Sequence, residues 1–207
     1  MSSRTGILYL ISGPSGSGKT TLCRRLAGEK QAEYAISCTT RSPRPGEVHG
    51  SDYFFLSPDE FKAKIAAGEF LEFAEVHGNY YGTLLSEVLS KLQLGSDVVM
   101  DIDVQGAALV RDSKNPEIQQ ALVDLFIMPP TIEELRKRLT GRGTDSEEVI
   151  ALRMKNSLEE MQHWDQYSYL LQSGSHEDDY AQFLALLKCQ RLMIKRLDHS
   201  KIKVLQG

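Results

Sequence analysis

The chain has 207 residues, 41% of them hydrophobic and 25% charged, with a formal net charge of −4. That is one domain's worth of polymer with room for a sizeable core, and the balance excludes a disordered chain. The acidic balance argues against a general binder of nucleic acid or of membrane surfaces. No apolar run approaches the ~18 residues of a membrane span, and Cys23, Cys38 and Cys189 form neither a CxxC pair nor a zinc-ligand spacing. The short polar start, Met1–Thr5, lacks a leader pattern, so the expectation is a cytoplasmic, reduced protein, monomeric or homo-oligomeric.

In chain order, Ile7–Ile11 is a short β-rich run that ends at Ser12-Gly13. Gly13-Pro14-Ser15-Gly16-Ser17-Gly18-Lys19-Thr20 then fits GxxxxGK[ST] at every defined position, and Thr20–Ala27 reads as helix. This is the strand–loop–helix context of a phosphate-binding P-loop. Its glycines let backbone N–H groups turn inward, the helix start adds its positive dipole end, Lys19 reaches the β- and γ-phosphates, and Thr20 serves Mg²⁺. Gly13–Thr20, with the adjacent Thr21, are the candidate ATP-binding residues.

Tyr34–Cys38 reads as another strand. Beyond it, from Thr39 to about Leu94, the chain is rich in Tyr, Phe and Gly, with β-like pieces at Tyr53–Leu56, Leu71–Val76 and Asn79–Thr83. It reads as an inserted α+β subdomain at 39–94 carrying the acceptor site. Within it, Ser57-Pro58-Asp59-Glu60 is a capping box opening a helix to about Ala67. Arg41 and Arg44, in a loop stiffened by Pro43 and Pro45, suit a bidentate phosphate clamp, although two arginines also suit a solvated loop. Tyr53, Tyr80 and Tyr81 add phenolic donors, although tyrosine pairs in strands commonly pack in cores.

Val98–Asp101 and Leu122–Met128 read as further buried parallel strands, so the pattern is α/β, with a central parallel sheet flanked by helices. Asp101 ends its strand where a metal-side carboxylate belongs, and Asp103 follows; acidic residues there also suit caps for the helix expected after Val104. Thr131-Ile132-Glu133-Glu134 opens a helix to about Thr140. Gly141–Asp145 reads as an irregular, mobile lid, with the lid region spanning about 140–155. Asp145 with Glu148 opens a helix towards Trp164, and Asp179 to about Ser200 is expected to be a last helix whose basic residues, Arg191 and Arg196 among them, form a solvated face.

Taken together, Gly13–Thr20, Thr39-Thr40-Arg41-Ser42-Pro43-Arg44-Pro45-Gly46-Glu47, Asp52-Tyr53, Glu69-Phe70-Leu71-Glu72, Gly78–Thr83, Asp101–Gly106 and Gly141-Arg142-Gly143 resemble guanylate kinase across roughly residues 6 to 155. The resemblance implies a P-loop core at 6–38 and 95–207 with an inserted acceptor subdomain and a lid, and the reaction ATP + GMP → ADP + GDP with Mg²⁺. It implies that Arg41, Arg44, Tyr53 and Tyr81 hold the GMP phosphate and that Glu72, Thr83 and Ser37 read guanine. Asp101 and Asp103 would face acceptor and metal, and Arg138, Arg142 and Arg153 would embrace the moving phosphoryl group. One departure stands out: the family's Asn-Asp pair near adenine is replaced around Ser173-Gly174. A kinase of a ribose phosphate, a non-catalytic protein-binding module and a GTPase switch are the competing readings. An intact Lys19 and Arg41 weigh against the second, and the absence of an NKxD motif against the third.

Overall fold

The computed structural model describes residues 4–76, 78–140 and 146–197. Its elements are β1 (Leu8–Ser12), α1 (Lys19–Gly28), β2 (Glu33–Tyr34), β3 (Cys38–Thr39), β4 (Phe54–Phe55), α2 (Pro58–Ala66), β5 (Phe70–Val76), β6 (Asn79–Leu84) and α3 (Leu85–Gln93). Then follow β7 (Val98–Asp101), α4 (Val104–Arg111), α5 (Pro116–Ala121), β8 (Leu122–Met128), α6 (Ile132–Thr140), α7 (Glu147–Met161), β9 (Tyr169–Gln172) and α8 (His176–Arg191).

Five strands form a parallel sheet in the order β2-β7-β1-β8-β9. All five residues of β1 are buried, because successive side chains enter different layers. Tyr9 and Ile11 join Leu22 and Leu26 of α1 and Phe183 and Leu187 of α8. Leu8 and Leu10 join Val88 and Leu92 of α3 and Val110 of α4. A strand covered on both faces must be apolar throughout, which is why its sequence does not alternate.

A second sheet, in the order β4-β3-β6-β5, stands apart from the first. β5 and β6 run antiparallel with a bulge between Phe70 and Glu72, so Phe70 faces Leu84 while Glu72 faces Thr83. Bulges of this kind re-aim a side chain, and here the side chain is a candidate base reader. Phe61 of α2 stacks on Phe70 at 4.3 Å and on Tyr80 at 5.4 Å, supplying this sheet with its own small core.

Several expected elements differ from those observed. Tyr34–Cys38 is not one strand: Glu33–Tyr34 pairs with β7 in the central sheet, whereas Cys38–Thr39 pairs with β4 and β6 in the second. The chain changes sheets there, so an apolar run conceals a crossing. The capping box at Ser57 forms as expected, with Ser57 and Glu60 satisfying each other's backbone N–H. The helix expected from Asp145 is capped instead by Ser146, whose hydroxyl accepts from Val149 N; Asp145 lies outside the described residues. The last helix begins at His176, because Ser175 supplies the cap, and stops at Arg191. Its basic residues do not all form a solvated face. Arg196 is buried and donates to the Gln120 and Ala121 carbonyls and to Gln190, and Arg191 joins Arg4 on the buried Asp97. The chain turns after α8 to place these cations, which ends the helix. Among the described residues no helix is long and apolar enough to cross a membrane.

Candidate active site

The loop between β1 and α1 is shaped by glycines that no other residue replaces cheaply. Gly13 has φ +147°, and a Cβ there would meet the Ile127 carbonyl oxygen at 2.4 Å. Gly18, at φ +99°, occupies the N-cap of α1 and offers no capping side chain, and no acid stands in the first turn. By contrast α2, α4, α5, α7 and α8 each carry a side-chain cap, and α3, which has none, carries an acid, Glu87, in its first turn. The first N–H groups of α1 are therefore left for an anion from outside the helix. Lys19 Nζ donates to the carbonyls of Gly13 at 2.5 Å and Pro14 at 3.0 Å, folded along the loop. Burial pulls the pKa of Lys19 down, opposed by the charges of Glu160 and Asp101.

Around this loop lies a cleft of ≈ 750 Å³ lined by Ser15, Gly16, Gly18, Lys19, Thr20, Thr21, Arg138, Gly174 and His176. Arg138 donates to Glu134 at 3.1 Å and to Ser173 Oγ at 3.1 Å; Ser173 in turn donates to Asp179 at 2.8 Å. Arg153 reaches the loop from α7, donating to Ser15 Oγ at 2.9 Å. Glu160 stands two turns further along the same helix, accepts from the Ser15 backbone, and is held above the usual carboxylate range by burial. Arg142 lies outside the described residues, as do Gly141, Gly143 and Asp145 of the expected lid.

Thr20 and Asp101 mark the centre. Thr20 Oγ1 donates to Asp101 Oδ2 at 2.5 Å, and Tyr34 donates to Asp101 Oδ1. Burial first, then the Asp101 charge, pushes the Tyr34 hydroxyl pKa up. Thr20 lines both the loop cleft and a middle cleft of ≈ 410 Å³; Asp101, Ser37 and Tyr53 line both the middle cleft and a third one of ≈ 260 Å³. The three therefore meet at this pair. Two hard oxygen donors so close together suit a divalent cation that keeps most of its shell as phosphate oxygens and water. Among the described residues no group of three or more His, Cys, Asp or Glu could hold a metal by itself.

The third cleft is lined by Ser37, Tyr53, Glu72, Tyr81, Thr83, Asp101, Asp103 and Gly106. Ser37 Oγ and Thr83 Oγ1 are 3.0 Å apart. Glu72 has its pKa pushed up to about 7 by burial, only partly offset by hydrogen bonds from Thr83. Asp103 caps α4, its Oδ1 accepting from Gly106 N at 2.8 Å, and still faces the cleft. Tyr53 and Tyr81 meet edge to face at 6.2 Å. Arg41 lies 5.6 Å from the Tyr53 ring centroid and is gripped by both oxygens of Glu47 at 2.8 and 3.0 Å. Arg44 is the exception: its side chain is exposed, and it is the backbone N–H that meets Glu47, at 2.7 Å.

The geometry thus brings Ser37, Tyr53, Glu72, Tyr81, Thr83, Asp101 and Asp103 to one cleft and Lys19, Thr20 and Arg138 to the loop cleft, while neither Arg41, held by Glu47, nor Arg44 lines any of the three. Three polar residues enter that were given no role from the sequence: Tyr34, Glu47 and Glu160. Glu160 carried a readable signal, since Arg153, Ser157 and Glu160 fall on one helical face. Tyr34 carried none, because a tyrosine at a strand end reads as core.

The comparisons agree with this geometry. The family model described as guanylate kinase matches residues 5–190. A guanylate kinase of Sphingopyxis alaskensis is 44% identical over 194 residues, covering 93% of this chain and 86% of the relative. One from Clostridium acetobutylicum is 40% identical over 205 residues, covering 99% and 96%. The crystal structure of guanylate kinase from Anaplasma phagocytophilum superposes with a TM-score of 0.77 at 28% identity, covering 100% of this chain and 97% of that one. An uncapped phosphate loop, a bulge-mounted carboxylate and a family match over nearly the whole chain converge on one statement: this chain belongs to the guanylate kinase family.

Proposed function

We propose that the chain is an ATP:GMP phosphotransferase, converting ATP and GMP to ADP and GDP by direct transfer without a covalent enzyme intermediate. The observation that carries the base specificity is Glu72 opposite Thr83 in a cleft that opens onto Asp101 and Thr20. Guanine presents N1–H and an exocyclic NH₂ side by side, and one carboxylate accepts both; Thr83 or Ser37 donates to O6. Adenine has no N1–H and would leave the carboxylate underbonded, and sites of this kind discriminate by ~10⁴–10⁵. A ribose phosphate has hydroxyls but no adjacent pair of N–H donors to match Glu72 and no O6 for Thr83 or Ser37, which disfavours that alternative.

Residues 39–94 act as the acceptor subdomain, 6–38 and 95–207 as the core, and about 140–155 as the lid. The loop amides of Gly13–Thr20, with Thr21, and Lys19 hold the triphosphate. Arg41, Tyr53 and Tyr81 hold the GMP phosphate, and Arg44 joins them if the subdomain swings inward. Arg138 and Arg153, together with Arg142, meet the phosphoryl group in transfer. No general base is needed, since the second pKa of a phosphate lies near ~6 and the attacking oxygen is already ionised at neutral pH. The protein's contribution is alignment and fixed positive charge that costs no reorganisation. Thr20 and Asp101 would hold Mg²⁺, largely through water, and the ion when bound would supply charge neutralisation on the phosphate oxygens. Closure of subdomain and lid excludes water, because an open site would hydrolyse ATP. The protein works in the cytoplasm, a reading supported by its three free cysteines, Cys23, Cys38 and Cys189.

The test is a coupled ADP-release assay with GMP, AMP, UMP and a ribose phosphate. GMP supports turnover and the others fall orders of magnitude behind; equal turnover with AMP would overturn the base-reading assignment.

A further inference from the structure

Tyr34 plays no part in the reaction described so far, yet it sits at the joint of the whole site. It ends β2, the edge strand of the central sheet, in register with Val99 of β7. The strand is pinned there by Ala35 N on the Val99 carbonyl at 3.0 Å and by Lys91 Nζ on the Tyr34 carbonyl at 3.2 Å. The ring packs against the cluster formed by α1, α8 and the central strands, and its edge lines the middle cleft beside Thr20 and Asp101. Its hydroxyl donates to Oδ1 of Asp101 while Thr20 takes Oδ2.

A half-buried tyrosine needs a partner for its hydroxyl, and many such bonds do no more than satisfy the phenol. This one does more, because of what it grips. The torsion that turns a carboxylate is broad and nearly two-fold, so Asp101 alone has no fixed orientation. With Oδ1 tied to a ring that the core holds in place, the carboxylate plane is set, and Oδ2 faces Thr20 across the meeting point of the clefts. Carboxylates beside metal ions are commonly oriented by such outer partners, and loss of the partner costs about 10–100-fold in metal affinity or activity.

We propose that Tyr34 is a positioning residue: by holding Asp101 through Oδ1 it presents Oδ2, beside Thr20, to the divalent cation that accompanies the donor phosphates. The inference rests on the metal-side reading of Asp101 given above and adds the residue that orients it. Tyr34→Phe keeps the ring and its packing and removes only the oxygen, so Asp101 is left with the Thr20 contact alone and loses the second one that sets the plane of its carboxylate.

The experiment measures Mn²⁺ binding, by electron paramagnetic resonance of the free ion, to enzyme loaded with a non-hydrolysable ATP analogue. Wild type, Tyr34→Phe and Asp101→Asn are compared, and analogue affinity is also measured in EDTA. Tyr34→Phe is expected to bind Mn²⁺ about 10-fold more weakly, with unchanged analogue affinity in EDTA and an unchanged KM for GMP. Asp101→Asn is expected to lose at least as much. Wild-type Mn²⁺ affinity in Tyr34→Phe together with a loss in Asp101→Asn would overturn the role of Tyr34 and leave that of Asp101 standing. Wild-type affinity in Asp101→Asn would overturn the metal-side reading itself, and the inference with it. An equal loss of analogue affinity in EDTA would show that the phenol only supports the fold.

Discussion

The two substrate sides are built from different materials. The proposed donor side is one contiguous stretch, Gly13–Thr20, whose binding groups are mainly backbone amides and a helix end held by glycine conformations, with Lys19 beside them. The proposed acceptor side draws side chains from β5, β6, β7 and the loops around them, and several are already engaged with one another: Arg41 with Glu47, Ser37 with Thr83, Glu72 with Thr83. Backbone amides do not titrate and are hard to mutate away. Side chains do both. The donor side should therefore depend on few residues, with Lys19 and Glu160 as its titrating groups, whereas the acceptor side should respond to pH through Glu72 and to many single substitutions.

The largest effect probes the donor side. Lys19→Ala removes the one mobile charge of the loop, and kcat is expected to fall about 10³-fold or more with the circular dichroism spectrum unchanged. Activity near wild type would remove the donor half of the contrast.

Next comes Glu72→Gln, which exchanges a charged acceptor for a neutral amide. The expected loss is about 10–100-fold in kcat/KM for GMP, with KM for ATP unchanged in steady-state assays. If both substrates suffered equally, Glu72 would be serving the fold and not the base.

The pH dependence separates the sides directly. With the Glu72 pKa pushed up to about 7, the free protein holds a proton that must leave before guanine is read. GMP affinity should rise with pH up to about 7, and fall towards tenfold per unit below it. The GMP phosphate, ionising near ~6, acts in the same direction, so Glu72→Gln is the control and should leave only the shallower phosphate contribution. The same raised pKa means that the folded protein binds more protons than the unfolded chain between 4.5 and about 7. This group's contribution to stability therefore falls as pH rises across that window. Isothermal titration in buffers of different ionisation heat would count the proton released.

The smallest effect is a control away from both sides. Ser57→Ala breaks the capping box of α2 and should lower Tm by about 2–4 °C with little change in kinetic constants. A large change in KM for GMP would show that α2 fixes the acceptor sheet more tightly than its packing suggests.

How much could be read from the sequence follows the same division. The donor loop was legible because its chemistry is local: one strand, one motif and one helix start within a short span. Strands β1, β7 and β8 were legible because burial on both faces leaves a continuous apolar run. The acceptor side was legible in outline, as an inserted α+β stretch with a candidate Arg41–Arg44 clamp, but its base reader only through the resemblance to a known family, since nothing local says that Glu72 will stand beside Thr83; a bulge decides that. Tyr34–Cys38 misled because an apolar run does not reveal that the chain leaves one sheet for another. The basic tail misled because Arg196 looks solvated until its carbonyl partners on the α5–β8 junction are known. Tyr34 and Glu47 were invisible as functional groups, because each acts on another side chain and not on a substrate.

In the proposed reaction two phosphates approach each other across Thr20 and Asp101. The most direct test is a crystal structure with GMP and a non-hydrolysable ATP analogue bound together. The predicted result has the terminal donor phosphate on the loop amides and Lys19, the GMP phosphate against Arg41, Tyr53 and Tyr81, and guanine on Glu72. A GMP phosphate far from Arg41, or a base that leaves Glu72 untouched, would contradict it.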